Sequence, residues 1–432
     1  MDESAISLSY RRYALALLLA VNLLNYIDRQ VLFAVFPLIK IDLAISDTAL
    51  GFLGSAFMLS YMLIAPLFGW LGDRRSRVKL AAGGLVVWSL ATALAGFAPG
   101  YRTLLAARAT VGVGEASFGT VSPGLIADFF DRERRGRVLS WFYLAIPVGS
   151  ALGYLLGGIL GERLGWHAAF LMVGLPGLAL AIPIALLRTP PRGGEDAAHR
   201  EGAGQDASPR ESTGHEQAVA PAEGYRTFIK NRSFVFNTIA MATMTFAIGG
   251  LAQWIPSFLY RTHAVTVEKG NTLFGAATVL AGILGTLIGG WLGDRWQKRT
   301  PKGYLLVSGW GFLVGTPFAA WALLARDLNV CIAAIFVAEF FLFLNTGPLN
   351  TVIINVTHPA IRAMAFAVNI FFIHALGDAI SPSILGWLSD HWGLRNALLS
   401  TPLVMALAGI FCFICGRYIE EDMKRAEMEP SS

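Results

Sequence analysis

Two full charges, Arg108 and Glu115, sit seven residues apart in the apolar stretch LLAARATVGVGEASFG, Leu104–Gly119. At 3.6 residues per turn they share one helical face, roughly 10 Å apart along the axis. Asn22, Asn25, Asp28 and Arg29 crowd a second apolar stretch, NLLNYIDRQ. Asn22, Asn25 and Arg29 share a face with Asp28 at its border. Adjacent residues on a helix do not face each other, so Asp28 and Arg29 each need a partner elsewhere. The Arg108–Glu115 stretch offers one of each sign. Two chemistries fit four such charges: an interhelical clamp, or a site that binds substrate and moves a proton. Burial favours the protonated form of a carboxyl group and a nearby guanidinium favours the ionised form. Making and breaking such a pair therefore loads and releases a proton.

Other polar groups interrupt apolar runs further along. Glu339 is followed by Asn345, Gly347, Pro348, Asn350 and Asn355, and His374 and Asp378 stand at i,i+4 ahead of Pro382. The His–Asp spacing suits a local hydrogen bond or half of a metal site, and no third ligand stands beside it. Polar pairing or a cavity lining is the expectation, and neither metal nor cofactor is expected. Cys331, Cys412 and Cys415 all fall in apolar runs. The Cys412/Cys415 spacing has no His or further Cys beside it, so the three are read as packing residues without a disulfide framework. Nothing assembles a nucleophile or metal set, so an enzyme is not expected.

The elements that position these groups must be membrane helices. The 432-residue chain is 55% hydrophobic and 15% charged. Its apolar runs reach the ~20 residues that span a bilayer. Twelve spans are predicted, over 13–38, 48–71, 78–98, 102–129, 137–160, 167–188, 233–260, 271–293, 303–325, 329–356, 363–388 and 394–418. Repeated crossing by long runs requires helices rather than a barrel of short alternating strands. A charge at bilayer depth is costly and faces protein or a watered interior. Gly112 and Gly114 remove bulk so that a neighbouring helix comes close. The first run is too long for a cleavable signal peptide and carries Asp28 and Arg29.

The net charge of +5 is a topology signal, and no nucleic-acid partner is expected. Of 34 Lys+Arg, 25 lie on one set of loops and seven on the other, with Arg29 and Arg108 inside spans. By the positive-inside rule both termini and the central loop are cytoplasmic. Residues 1–188 and 233–418 form two six-helix halves. They are joined by a Pro/Gly/Ser-rich linker, 189–232, and followed by a tail, 419–432.

The second span ends in GWLGDRRSR, Gly69–Arg77, and the eighth in GWLGDR, Gly290–Arg295. Weaker echoes close the fifth span, GILGER at Gly158–Arg163, and the eleventh, GWLSD at Gly386–Asp390. A carboxylate at the end of its own helix is opposed by the helix dipole and is favoured by facing a cation or another helix's N-terminus. Spans 2, 5, 8 and 11 are three apart, so the repeat is a three-helix unit. Successive units are inverted, and two such pairs make parallel halves. That is the repeat logic of a secondary transporter with a central site and alternating access. The Gly69–Arg77 string resembles the loop signature of the major facilitator superfamily, G-x-L-[A/G]-D-R-x-x-R-[R/K], departing only at Val78. The resemblance implies the all-α, twelve-helix fold of that superfamily. It also implies a conformational latch formed by Gly69, Asp73, Arg74, Arg77, Gly290, Asp294 and Arg295, with Asp73 docking near Arg362. Pro147, Gly149, Gly153, Gly157 and Gly158 loosely resemble the superfamily's glycine-rich antiporter motif.

Within the superfamily, six stretches resemble the Spinster family of lipid transporters. These are NLLNYIDR (22–29), RATVGVGEAS (108–117), IAD (126–128), WFYLAIPVGSALGY (141–154), WIPSFLYR (254–261) and HALGDAISP (374–382). The resemblance implies a proton-coupled carrier of an amphiphile such as a lysophospholipid. Asp28 and Glu115 would be the protonatable pair. Arg29 and Arg108 would be their charge partners, with Asn25, Tyr143, Trp254, Glu339, His374 and Asp378 toward the substrate. The proton is the coupling ion, and the expected partners are membrane lipids and the amphiphile, with the chain a monomer in a bacterial inner membrane. The alternative is a drug or organic-anion transporter on the same fold.

Overall fold

The computed structural model describes residues 7–130, 132–188, 228–358 and 361–428. Among them the chain is helical, without strands. The first elements are α1 (Leu8–Ala34), α2 (Phe36–Leu43), α3 (Asp47–Arg74), α4 (Arg77–Ala95), α5 (Tyr101–Phe129), α6 (Arg132–Leu164) and α7 (Trp166–Ala185). There follow α8 (Arg232–His263), α9 (Val267–Gln297), α10 (Gly303–Leu324), α11 (Leu328–Phe343), α12 (Thr346–Asn355) and α13 (Arg362–Ile373). A π-helical turn, His374–Asp378, leads into α14 (Ser381–Trp392), α15 (Leu394–Leu398), α16 (Ser400–Cys415) and α17 (Ile419–Met428). Counting the broken helices as single crossings, eleven among the described residues are long and apolar enough to span a membrane. The remaining expected span is α5, a 29-residue helix whose apolar content is diluted by Arg108, Glu115 and its hydroxyl residues.

Several expected spans are broken, and local chemistry explains each break. The first stops at Ala34 and restarts as α2, with Pro37 in the first turn of the new helix, where its missing N–H costs nothing. The tenth is interrupted at Leu344–Asn345, where the Asn345 amide donates to the Phe341 carbonyl (2.7 Å) just ahead of Pro348. The eleventh turns non-helical at Gly377 (φ −106°, ψ −108°), and Pro382 then opens α14. The twelfth is split at Leu399, ahead of Pro402. Pro256 lies within the continuous α8. The expected tail contains α17, whose Asp422 accepts the Ser233 N–H (2.8 Å) at the start of α8. The expected linker falls outside the described residues as far as position 227.

The chain divides into two compact units. The first is Met1–Ile45, Phe52–Arg210 and Thr266–Gly275; the second is Ser46–Gly51, Glu211–Val265 and Ala276–Ser432. In the first, α4 packs on α5 and α7, and α1 packs on α6. Its core gathers Leu18, Trp88, Phe118, Leu125 and Phe129. In the second, α10 packs on α11 and α16, and α8 packs on α16 and on the π turn. Its core gathers Phe234, Met241, Phe312, Leu349 and Met405. The third helix of each expected half thus lies against its fourth and its sixth, the neighbour pattern that a duplicated half requires. Small residues set the approach in the first unit. A β-carbon at Gly153 on α6 would come within 2.6 Å of the Ile27 carbonyl oxygen. One at Gly112 on α5 would come within 2.3 Å of the Phe57 carbonyl oxygen.

Candidate functional site

Close packing of α1, α3, α4 and α5 places the four charges in two crossed pairs. Arg29 Nε donates to Glu115 Oε2 at 2.7 Å. Arg108 Nη1 reaches Asp28 Oδ1 at 3.5 Å, a looser contact. Thr92 on α4 completes the second pair, its hydroxyl donating to Asp28 Oδ2 at 2.5 Å. The seven-residue spacing on α5 thus serves two neighbouring residues of α1, which diverge around their own helix.

Neither pair uses up its hydrogen-bonding capacity. Arg108 and Glu115 are fully buried, yet Arg108 Nε and Nη2 and Glu115 Oε1 make no hydrogen bond among the described residues. Unpaired donors and acceptors at such depth are costly and are kept where a further partner or a rearrangement uses them. The Arg29 side chain retains 19% exposure, making it the accessible cation of the four. Its guanidinium lies 4.9 Å from the Tyr26 ring, 5.1 Å from Phe57 and 5.4 Å from Tyr61. The Phe57 ring also faces Arg108 at 5.4 Å. Aromatic faces stabilise a desolvated cation. Phe57 and Tyr61, one turn apart on α3, and Thr92 escape sequence reasoning, since an aromatic i,i+4 pair or a lone threonine in an apolar helix carries no distinctive signal.

The remaining expected residues fall into three groups. Asn22 donates to the Phe142 carbonyl (2.7 Å) and ties α1 to α6; Asn25 is buried, and its amide nitrogen has no hydrogen-bond partner among the described residues; Tyr143 is exposed. In the second unit, Glu339 accepts the Thr278 hydroxyl (2.9 Å), and its second carboxyl oxygen has no partner among the described residues. His374 Nδ1 meets both Asp378 oxygens at 2.9 and 3.1 Å across the π turn rather than along a regular α-helix. Among the described residues no group of three or more His, Cys, Asp or Glu could hold a metal. Trp254, expected toward substrate, is fully buried with its indole N–H spent on the Pro382 carbonyl (3.1 Å), so it braces α8 against α14.

The repeated loop strings also find partners inside their own units. Arg77 donates to Asp128 (2.8 Å) and to the Gly124 carbonyl (3.2 Å), tying the start of α4 to the end of α5. Gly69 and Gly72 lie against Thr120 and Val121 of α5. Asp73 is exposed, and Arg74 lies over the Trp70 ring at 4.4 Å. In the second string Arg295 likewise lies over Trp291 at 5.8 Å, whereas Asp294 accepts the Tyr304 hydroxyl (2.7 Å). Gly293 lies against Tyr304, and Gly290 faces open space. Arg362 donates to the Thr357 carbonyl at 3.3 Å.

Comparison with known proteins identifies the family. A family model described as Major Facilitator Superfamily matches residues 18–382. Protein spinster homolog 3 of Danio rerio is 34% identical, over 98% of this chain and 88% of the relative. Protein spinster homolog 1 of Homo sapiens is 35% identical, over 96% and 82%. Among solved structures, a bacterial homolog of the human lysosomal transporter Spinster, inward-facing and unoccupied, superposes with a TM-score of 0.85. Its sequence identity is 24%, and the match covers 96% of this chain and 99% of that one. The occupied inward-facing form of such a homolog gives 0.84 at 23% identity. The chain therefore belongs to the Major Facilitator Superfamily and, within it, to the Spinster family: it is a multi-pass membrane transporter and not an enzyme.

Proposed function

We propose that this Spinster-type transporter carries an amphiphile with an anionic head group, of the lysophospholipid kind, by alternating access coupled to protons. It would be oriented with its basic loops and both termini in the cytoplasm. The observation that carries the reading is the crossed double ion pair of α1 and α5, with Arg108 and Glu115 fully buried and incompletely bonded. A clamp that only joined helices would gain by spending those bonds. Arg29, partly exposed and faced by three aromatic rings, suits the head group, because a guanidinium holds phosphate or carboxylate in a planar fork. Drawing Arg29 onto the substrate leaves Glu115 without its cation, and a carboxylate stranded at that depth takes up a proton. Return of Arg29 expels it. Asp28 and Arg108 form the second such pair, with Thr92 holding the carboxylate while the guanidinium is engaged elsewhere.

Proteoliposomes with an imposed pH gradient, loaded with labelled lysophospholipid, test the reading. Glu115→Gln and Asp28→Asn keep side-chain shape and remove the titrating group. Both should lose gradient-driven transport while still exchanging substrate at a pH-independent rate. Gradient-driven transport equal to the parent's in both variants rejects the coupling role and moves the search to Glu339, His374 and Asp378. Uptake of organic anions or drugs in place of lysophospholipid would replace the substrate class.

A further inference from the structure

Within the second unit, α9, α10 and the end of α11 enclose a groove of about 270 Å³, lined only by apolar side chains and Gly311. Leu292 and Trp296 come from α9, Trp310 and Val314 from α10, and Phe341 and Leu344 from the end of α11. Trp296, Trp310 and Val314 are exposed, at 40, 59 and 41%. The helix interruption at Leu344–Asn345 sets the floor, since a β-carbon at Gly311 would meet Leu344 Cδ2 at 3.3 Å. Small-molecule pockets hold ~300–1,000 Å³ and present a few convergent polar groups. This groove offers room and chemistry for a length of hydrocarbon chain.

The groove is one leaflet deep. Both α9 and α10 are long and apolar enough to span, so the turn that joins them, 298–302, lies at a bilayer face. Val314 follows Gly303, the first residue of α10, by eleven positions. At 1.5 Å per residue that is roughly 16 Å below the face. Half of a ~30 Å hydrocarbon core is about the same. The groove therefore runs from head-group level to the bilayer centre.

Its mouth is basic. Residues 294–302, DRWQKRTPK, hold four cations against one carboxylate. Asp294 accepts the Tyr304 hydroxyl, Arg295 lies over the Trp291 ring, and Lys302 pairs with Glu420 at 3.5 Å. The side chains of Lys298 and Arg299 are exposed and have no hydrogen bond or ion pair among the described residues. The Arg299 N–H donates to the Trp296 carbonyl at 2.9 Å, so the last turn of α9 carries on to it. Leu292, Trp296 and Arg299 thus stand at i, i+4 and i+7, and the groove wall continues into a cation.

We propose that this groove binds one anionic diacyl phospholipid of the surrounding bilayer, which is held and not transported. One acyl chain lies along Trp310 and Val314, and the phosphodiester meets Lys298 and Arg299. Burial of the chain favours any phospholipid. The turn adds the preference for net negative charge, since each Lys or Arg at a membrane surface favours an anionic head group about fivefold. The site belongs to the unit that does not hold the crossed ion pairs of α1 and α5, and it does not depend on what those pairs carry.

Native mass spectrometry of the full chain in detergent, titrated with phosphatidylglycerol or phosphatidylcholine of equal chain length, tests the proposal. The parent should bind one phosphatidylglycerol about 25-fold more tightly than phosphatidylcholine. Lys298→Gln and Arg299→Gln should each lower that ratio about fivefold, and the double variant should bring it near unity. Unchanged affinity for phosphatidylcholine in these variants shows that the fold is intact. Val314→Trp fills the groove and should weaken both lipids about tenfold, the worth of two buried methylenes, while keeping the ratio. Arg326→Gln, which removes an exposed cation between α10 and α11, should change neither affinity. Equal affinities for the two lipids in the parent overturn the proposal, as does parent-like binding by Val314→Trp. A loss of preference in Arg326→Gln equal to that in Arg299→Gln overturns it too, because any surface charge would then serve. Displacement of the lipid by millimolar glycerol 3-phosphate would make the turn a free-anion site and reject the lipid. No transport is measured, so these failures are distinct from failure of the proposed function.

Discussion

The interiors of the two units differ in kind. The first holds two full carboxylates and two guanidiniums at depth, paired across α1 and α5. The second holds Glu339 against a threonine hydroxyl and His374 against Asp378, and its Arg–carboxylate pair, Arg261 with Asp47, stands at helix ends rather than inside a helix. Its distinguishing feature is broken backbone: the interruption at Leu344–Asn345 and the π turn at His374–Asp378. Non-helical backbone at membrane depth is tolerated where it is buried in protein or lines a cavity. Buried charge resists partial separation, whereas a π turn bends readily. On the proposed reading the first unit responds to protons and head groups, and the second changes shape.

The largest effect that would break this contrast comes from the charges. Arg108→Ala leaves Asp28 buried with only Thr92, and removal of one partner from a buried pair costs about 3–5 kcal/mol. Thermal unfolding in detergent should show that loss together with absent transport. Glu339→Ala removes a carboxyl group that has no cationic partner among the described residues and should fall within about 1–2 kcal/mol of the parent. Equal losses for the two variants would remove the asymmetry.

An intermediate effect is expected at the π turn. A β-carbon at Gly377 would lie 2.8 Å from Thr245 Cβ. Gly377→Ala should destabilise by about 1–3 kcal/mol through overpacking. Transport should slow by more than substrate binding weakens, because the bend rather than the charge site is altered. A variant that loses affinity while keeping its turnover would place the second unit's role in recognition instead.

The smallest effect sharpens the first unit's division between site and scaffold. Asn22 shares a helix with Asp28 and Arg29 but spends its amide on the Phe142 carbonyl. Asn22→Leu should cost about 1 kcal/mol in stability, the worth of one hydrogen bond, and leave the pH dependence of transport unchanged. A shifted pH profile would bring Asn22 into the coupling network.

Much of this site was legible before folding. Asp28 and Arg29 stand adjacent on one helix and cannot satisfy each other, while Arg108 and Glu115 are the opposite charges nearest in kind. Which carboxylate meets which guanidinium depends on the rotation of α1 against α5, and glycines and Thr92 from other helices set that rotation. The ring cluster of Tyr26, Phe57 and Tyr61 was illegible for the same reason, because every membrane helix carries such residues. Trp254 shows the converse: the WIPSFLYR string drew it toward substrate, but the packing of α8 on α14 consumed it. The breaks in the tenth and eleventh spans were marked by Gly347–Pro348 and Pro382, whereas the π turn depends on how α8 meets Gly377.

Sequence alone determined the apolar runs, the basic asymmetry of the loops and the recurrence of the GWLGDR ending, twice in full and twice as an echo. They follow from the bilayer's demands and from chain duplication, and none of the three needs a partner helix to be read. Only tertiary structure decided what the four endings do. Arg77 ties its loop to α5, Asp294 turns to Tyr304, and Glu162 and Asp390 cap helices far away in sequence. The same carboxylate at a helix end takes whichever donor the packing brings within 3 Å, and that choice is written in the neighbouring helix.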